Sequence, residues 1–258
     1  MSYTGFWDEV RKIPPVTRFV AASSLAVSIP VMMQLVSPYK VVFVKDLVVY
    51  NWEIWRVWSS FFLGSSGINF IFDFAMLYRT SNQLEEGHFL GRSADFAWQL
   101  LVAVGGILAL NVPLQTYVHH RALIVCLTYL SSALAPPGTT SSIMGMVTIP
   151  IQYFPYALIG MDLVMSGAQA AGVGVTGAVI GHLWWWWIFG DDGHGLPGLQ
   201  EYGSAPRWVT SIVGANAPAR TGPTEPDEND SQPRRPVRAA AAGEGGYQWG
   251  QGNRLGSD

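Results

Sequence analysis

Long apolar runs separated by short polar turns fill the chain between residues 16 and 190, and they restrict its fold more than any other feature. Hydrophobic residues make up 49 % of the chain, while almost half of the charged residues lie beyond residue 190. A bilayer accepts such runs as helices, because a helix satisfies its own backbone hydrogen bonds. The sequence therefore predicts an all-α polytopic membrane protein. The six predicted spans are residues 17–36, 68–79 with an approach from residue 57, 95–112, 122–135, 149–165 and 168–189.

Several of these spans are short for a bilayer. Residues 122–135 would rise only about 21 Å as a helix, against a hydrocarbon core of roughly 30 Å. A short span either thins the lipid around it or lies buried behind other helices, and both alternatives are open. Six crossings place both termini on one side of the membrane, and the weak Lys/Arg asymmetry favours a cytosolic N-terminus. The first run lacks a small-residue cleavage site, so we interpret it as a retained anchor.

The composition changes at residue 190, which predicts two domains. Residues 1–190 form a transmembrane domain, and residues 191–258, rich in Pro, Gly, Ala and charges, form a disordered cytosolic tail. The net charge of −3 without a long Lys/Arg run argues against nucleic-acid binding. The single cysteine, Cys126, excludes an internal disulfide and a multi-cysteine zinc site. An acidic turn with one histidine at residues 191–194 is interpreted as solvated, so no metal and no cofactor are predicted.

Ionisable side chains occur at membrane depth within three of the predicted spans: Asp73, Asp162 and His182. An aspartate at the centre of a span costs about 2.5 to 3.5 kcal/mol on insertion scales. We therefore expect Asp73 and Asp162 to face a hydrated interior. The alternative is that they lie near helix ends or hydrogen-bond to Ser, Thr and Tyr neighbours. His182 is interpreted as a packing residue of the sixth span.

The sixth predicted span contains glycines four residues apart, Gly177 and Gly181, directly before His182. Glycines at this spacing let two helix backbones approach closely, because no side chain stands between them. The sixth span is therefore predicted to pack centrally. Residues 184–187 are four consecutive tryptophans, which are predicted to form an interfacial belt.

Several short motifs follow one another from residue 6 through the sixth span. They are Phe6-Trp7, Ile13-Pro14-Pro15-Val16-Thr17-Arg18, Trp55-Arg56, Leu77-Tyr78-Arg79, the turn Leu84-Glu85-Glu86-Gly87, Gly91-Arg92-Ser93-Ala94-Asp95-Phe96 and Gly177-xxx-Gly181-His182. Their order and spacing resemble those of the Derlin family. Derlins are rhomboid-fold pseudoproteases of the endoplasmic reticulum, so the resemblance implies a six-helix rhomboid-like fold there. Asp73 and Asp162 depart from the family pattern, in which asparagine is expected.

The resemblance also implies a role for the loop that carries Trp55 and Arg56. The Trp55 ring would lie among lipid headgroups, while Arg56 would reach phosphate or backbone carbonyls. The alternative is a purely structural brace for the loop. With short spans and a lateral opening between helices, such a loop would help to thin the surrounding membrane lipids.

A rhomboid-like fold raises the possibility of an active serine protease. That activity needs a serine in a Gly-x-Ser-Gly turn and a histidine base within hydrogen-bond reach. Ser131 and Ser132 in the fourth span lack the glycine turn, and His182 has no partner that the sequence identifies. The chain is therefore predicted not to be an enzyme, with an active rhomboid protease as a remote alternative.

The end of the tail carries an aromatic residue and a leucine around two glycines. In a disordered tail such apolar residues gain nothing by folding internally, so we expect them to insert into a partner. The pattern resembles the SHP box, which binds the N-terminal domain of the Cdc48-type AAA ATPase. The residues predicted to bind this ATPase are Trp249, Gly250, Gly252, Arg254 and Leu255.

The resemblance as a whole implies a non-catalytic component of endoplasmic-reticulum-associated degradation (ERAD). Such a protein assists retrotranslocation of misfolded protein clients through a lateral half-channel and recruits the ATPase. A membrane RING ubiquitin ligase complex is a further implied partner. The alternative is a membrane-protein chaperone or extraction factor that acts without a ligase.

Overall fold

The computed structural model describes residues 3–136, 138–143, 147–190 and 200–214. Each of the six predicted spans overlaps one of its longer helices, and shorter helices lie between or beside these. The helices of the described residues are α1 (Tyr3–Lys12), α2 (Pro15–Met32), α3 (Lys45–Tyr50), α4 (Trp55–Phe62), α5 (Ile68–Glu86), α6 (Ser93–Asn111), α7 (His120–Ala133), α8 (Phe154–Ser166), α9 (Ala168–Ile188) and α10 (Arg207–Gly214).

A two-stranded antiparallel hairpin corrects the all-α prediction. Strand β1 (Thr140–Ile143) pairs with β2 (Val147–Pro150), with Thr140 opposite Pro150 and Ile143 opposite Val147. Both strands are rich in β-branched residues, which favour extended backbone. The hairpin replaces the start of the fifth predicted span, so α8 begins at Phe154 rather than at residue 149. The fold is mostly helical.

Helix α5 is longer than the span predicted at residues 68–79. It continues to Glu86, so the predicted turn at Leu84–Glu86 is the last part of this helix. The extension is stable because Leu84 and Glu85 are buried, at 1 % and 2 % exposure. The predicted shortness of this span is therefore wrong.

Helix α7, which contains most of one of the short predicted spans, is the central helix of the fold. Eleven of its 14 residues are buried, and it packs against α5, α8 and most extensively α9. At about 1.5 Å per residue it is about 21 Å long. Of the two accommodations open to a short span, burial behind other helices is the one observed.

Helices α2 and α6 are the two described helices that are long and apolar enough to cross a membrane. Over an 18-residue stretch of each helix, the mean hydropathies are 1.4 and 1.6, and only 28 % and 22 % of the residues are buried inside the protein. Most of their apolar side chains therefore face outward, as expected for a protein that associates with membranes. The number of crossings stays a prediction.

Residues 200–214 pack on α6 and correct the prediction of disorder from residue 191 onward. The Trp98 indole donates to the carbonyl of Tyr202 at 2.8 Å, and Gln99 donates to that of Gly203 at 2.9 Å. Trp98 also meets Trp208 of α10 edge to face, with ring centroids 6.1 Å apart. The chain divides into two units, Met1–Ala219 and Arg220–Asp258, and the second lies outside the described residues.

Glu85, near the end of α5, caps the N-terminus of α2. Its carboxylate accepts hydrogen bonds from the backbone N–H groups of Val16 and Thr17 at 3.1 and 2.7 Å, and from the Thr17 hydroxyl at 2.8 Å. The first N–H groups of a helix have no partner within it, and its N-terminus favours negative charge. Glu85 therefore joins two motifs that lie 68 residues apart in the sequence.

We expect Glu85→Ala to lower the free energy of unfolding by about 2 to 4 kcal/mol, because buried donors lose their acceptor. The neighbouring Glu86 is exposed and bonds only to Asn82 of its own helix among the described residues. Glu86→Ala is therefore the matched control, with an expected loss below about 0.5 kcal/mol. Thermal unfolding of the purified proteins in detergent measures both. Equal losses for the two variants would contradict the capping role.

Candidate functional site

A cleft lies between α5 and α8, and the start of α7 forms part of its lining. Both helices pack on α7, whereas contacts between α5 and α8 themselves are sparse. The cleft has a volume of about 550 Å³. Asp73 of α5, Asp162 of α8 and Arg121 of α7 all line it. Charged side chains from three helices therefore meet in one cavity.

Arg121 bridges the two carboxylates. Its Nε donates to Oδ2 of Asp162 at 2.7 Å, and its Nη1 donates to Oδ1 of Asp73 at 3.0 Å. Oδ2 of Asp73 also accepts a hydrogen bond from the hydroxyl of Ser65. The side chains are 21 % exposed for Arg121 and 11 % for each aspartate. The formal charge of the three groups is −1.

The sequence predicted that Asp73 and Asp162 face a hydrated interior, and both line this cleft. Asp73 also lies near the start of α5 and bonds to Ser65, as the alternative predicted. The sequence analysis did not identify their partner, Arg121, which directly precedes the predicted fourth span at 122–135. A lone arginine immediately before an apolar run was the available signal. Only tertiary contacts show that α7 begins at His120, so that Arg121 belongs to the helix.

Gly177 and Gly181 lie on the face of α9 that packs against α7. A Cβ atom added at Gly177 would stand 2.2 Å from the carbonyl oxygen of Ala122, and one at Gly181 would stand 2.8 Å from that of Cys126. Real Cβ atoms do not approach other atoms so closely. These two glycines therefore allow the close contact between α9 and α7, the helix that contributes Arg121 to the cleft.

Comparison with known proteins matches the Der1-like family profile to residues 13–200, most of the chain. This chain belongs to the Der1-like family. It is 30 % identical over 204 residues to Derlin-1 of Arabidopsis thaliana, covering 78 % of this chain and 74 % of that protein. It is also 30 % identical over 218 residues to Derlin-1 of Oryza sativa subsp. japonica and 28 % identical over 220 residues to Derlin-1.2 of Zea mays, with 81 % of this chain and 88 % of the relative covered in each case.

The Trp55-Arg56 pair of this Der1-like chain begins α4, and its two side chains have different environments. Trp55 is 59 % exposed, whereas Arg56 is only 4 % exposed. Arg56 donates to the carbonyls of Tyr39 and Val42 and forms an ion pair with Glu53. Arg56 therefore braces the loop through backbone carbonyls, while the Trp55 ring is exposed on the surface.

His182 and the serines of α7 do not form a hydrogen-bonded pair among the described residues. Nδ1 of His182 lies 2.9 Å from the hydroxyl of Tyr129, and His182 is exposed. Ser131 and Ser132 are each 6 % exposed, and the Ser132 hydroxyl donates to the Tyr129 carbonyl. Derlins are rhomboid-like pseudoproteases, and a serine without an adjacent base is a weak nucleophile.

A different serine and histidine do meet, at Ser60 and His119. The Ser60 hydroxyl lies 3.1 Å from Nδ1 of His119, and both residues are 0 % exposed. The Ser60 proton is donated to the carbonyl of Val57, so Nδ1 of His119 is the donor in their contact. Burial lowers the pKa of His119, which precedes α7, to about 4. This neutral, enclosed pair holds the loop before α7 against α4 and is not accessible to a substrate.

Trp184, the first of the four tryptophans, lies inside the protein rather than in the predicted interfacial belt. It is 3 % exposed, and its indole donates to the side-chain oxygen of Gln99 at 2.8 Å. Trp186 is 48 % exposed. The predicted ATPase-binding residues Trp249, Gly250, Gly252, Arg254 and Leu255 lie outside the described residues.

Proposed function

We propose that this Der1-like protein is a non-catalytic component of ERAD that assists retrotranslocation of misfolded proteins. It acts in the endoplasmic reticulum membrane with both termini in the cytosol. The observation that carries the proposal is the cleft between α5 and α8, which is lined by the charged side chains of Asp73, Arg121 and Asp162. A cleft that contains charged side chains offers a polar route through the apolar core of the bilayer.

The cleft is suited to lower the cost of moving polar chain segments through the membrane. A charged residue at the centre of a bilayer costs about 2.5 to 3.5 kcal/mol on insertion scales. Inside a hydrated cleft the same group keeps water and charged partners, so most of this cost is removed. A client would enter laterally between α5 and α8, which are joined mainly through α7. The cleft thus acts as a half-channel.

The lipid around the protein contributes to the same function. Trp55 is exposed at the end of a loop that Arg56 braces, so its ring can anchor the loop among headgroups. Helix α8, where Leu163 and Val164 are exposed, has 13 residues and is about 20 Å long. Lipid beside this short helix and the anchored loop becomes thinner, which shortens the apolar path.

The energy for extraction comes from a partner, because the sequence has no P-loop-like motif. The SHP-box-like residues Trp249, Gly250, Gly252, Arg254 and Leu255 bind the Cdc48-type AAA ATPase. A membrane RING ubiquitin ligase complex marks the client before extraction. His182, held by Tyr129, is a packing and hydrogen-bonding residue and not a catalytic base.

Co-purification from membranes tests the ATPase contact. We expect Trp249→Ala combined with Leu255→Ala to reduce recovery of the ATPase at least about tenfold, because a few apolar anchors carry most of the affinity of such motifs. Gln251→Ala combined with Asn253→Ala changes the variable positions of the same motif and is the matched control. Unchanged ATPase recovery with the first variant would contradict the docking role.

The same variants separate ERAD from the second candidate, a ligase-independent membrane-protein chaperone or extraction factor. This candidate is favoured by a cleft that could shield a client segment without any partner. If the Trp249 and Leu255 variant slows client turnover, the protein acts in degradation. If turnover is unchanged and only client aggregation responds to loss of the protein, the chaperone function is supported instead.

A further inference from the structure

The charges along the cleft are unevenly distributed. At one end, the carboxylates of Asp73 and Asp162 share the single guanidinium of Arg121. Arg79 also lines the cleft, but it is six residues from Asp73 along α5, or about 9 Å of helix. The end around Arg121 therefore carries one negative charge in excess. A cleft that has apolar walls and an excess of negative charge attracts cations.

One oxygen of this group is available to such a cation. Arg121 binds Oδ2 of Asp162, and within the described part of the chain Oδ1 of the same carboxylate accepts no hydrogen bond. Asp73, by contrast, uses one oxygen for Arg121 and the other for Ser65. No group of three or more His, Cys, Asp or Glu residues that could hold a metal ion occurs among the described residues. The two carboxylates, which already share Arg121, fit an organic cation better than a metal ion.

The walls next to this charged end are apolar and adaptable. Phe72 and Met76 of α5 face the cleft, as do Leu158, Met161 and Met165 of α8. Methionine is flexible and polarisable, and it is common on surfaces that accept different apolar partners. A long apolar segment that carries one charged group would fit these apolar walls and the charged end of the cleft.

We propose that the Asp73–Arg121–Asp162 end of the cleft binds a lysine ammonium or arginine guanidinium in the membrane segment of a client protein. The client cation bonds to Asp162 and brings the charge of the site to zero, while Arg121 keeps its contact with Asp73. A basic residue in an apolar span is expensive in lipid and gains a charged partner here. The inference rests on the proposed function and adds a substrate class to it.

Photo-crosslinking in vesicles tests this site. The full-length protein, with a photoreactive amino acid at Phe72, is reconstituted in phosphatidylcholine, which has no primary amine to compete. Two single-span clients are compared that differ only in one central residue, lysine or leucine. We expect the lysine client to crosslink at least about fivefold more, the preference that one partly buried charge pair provides. Asp162→Asn and Asp73→Asn should each reduce this ratio to nearly one.

Glu86→Gln is the matched control, because it removes one carboxylate from α5 outside the cleft and should leave the ratio unchanged. A second measurement needs no variant of the binding residues: the lysine is moved along the client, and crosslinking should peak at one depth and fall when it is shifted by two helical turns. Equal crosslinking of the lysine and leucine clients would overturn the basic-residue site. A lysine-to-leucine crosslinking ratio that is unchanged in both asparagine variants would also overturn it. Either result would leave lateral client entry intact. Absence of crosslinks to either client would overturn both.

Discussion

Replacing Gly177 with alanine will disrupt the packing of α9 on α7 and lower the free energy of unfolding by about 3 kcal/mol or more. The added Cβ would stand 2.2 Å from the carbonyl oxygen of Ala122, a backbone atom of the central helix. A flexible side chain could move aside, but the backbone of a fully packed helix moves only if α7 or α9 shifts as a whole. Such a shift would also displace Arg121, which directly precedes Ala122.

Gly172→Ala is the matched control on the same helix, because no atom lies within 4 Å of its added Cβ. Alanine is a better helix former than glycine by about 0.5 to 1 kcal/mol, so this variant should be as stable as the parent or slightly more stable. Thermal unfolding in one detergent compares the two directly. If both variants melt at the same temperature, the close contact between α7 and α9 is not needed for stability.

Replacing Arg121 with glutamine will have an effect of similar size for a different reason. Asp73 and Asp162 would be left facing each other without a cation. Breaking a fully buried ion pair costs about 3 to 5 kcal/mol, and because these side chains are partly exposed we expect about 2 to 3 kcal/mol. The exposed pair of Arg92 and Asp95 is the matched control. Because solvent screens it, Arg92→Gln should cost less than about 1 kcal/mol.

A triple variant with Arg121→Gln, Asp73→Asn and Asp162→Asn separates the charge effect from the loss of the arginine side chain. Neutral groups of similar shape leave no uncompensated charge, so the triple variant should recover most of the stability lost in Arg121→Gln. Denaturant unfolding in detergent micelles measures all of these proteins. If the triple variant is no more stable than Arg121→Gln, the charges are not the cause of the loss.

The sequence predicted the helices most accurately where a long apolar run is uninterrupted. For residues 95–112 and 168–189 the helix bounds agree with α6 and α9 to within two residues. The prediction was poorer where polar residues become buried by partners that are distant in sequence. Glu85 was assigned to a turn, because nothing nearby in the sequence indicates that it accepts hydrogen bonds from Val16 and Thr17.

The candidate site shows the same division. Asp73 and Asp162 were identified from the sequence because a carboxylate within an apolar run is expensive and needs a polar environment. Arg121 was missed because its role depends on the positions of α5 and α8, whose contacting residues are 48 and 41 residues away in the sequence. Trp184 was misassigned for a related reason, since its indole is buried by contacts with residues distant in sequence, among them Phe96 and Gln99 of α6.

Local composition and motif order were sufficient to determine the class of this protein, the approximate helices and membership of the Der1-like family. These properties depend on hydrophobic periodicity and on short residue patterns that the chain carries along its length. Which charges pair, which glycines contact a backbone and which helix is central were decided only by the tertiary structure. Those properties depend on distances between residues far apart in the sequence, and both the burial of a polar group and its partner are fixed only when the helices have packed.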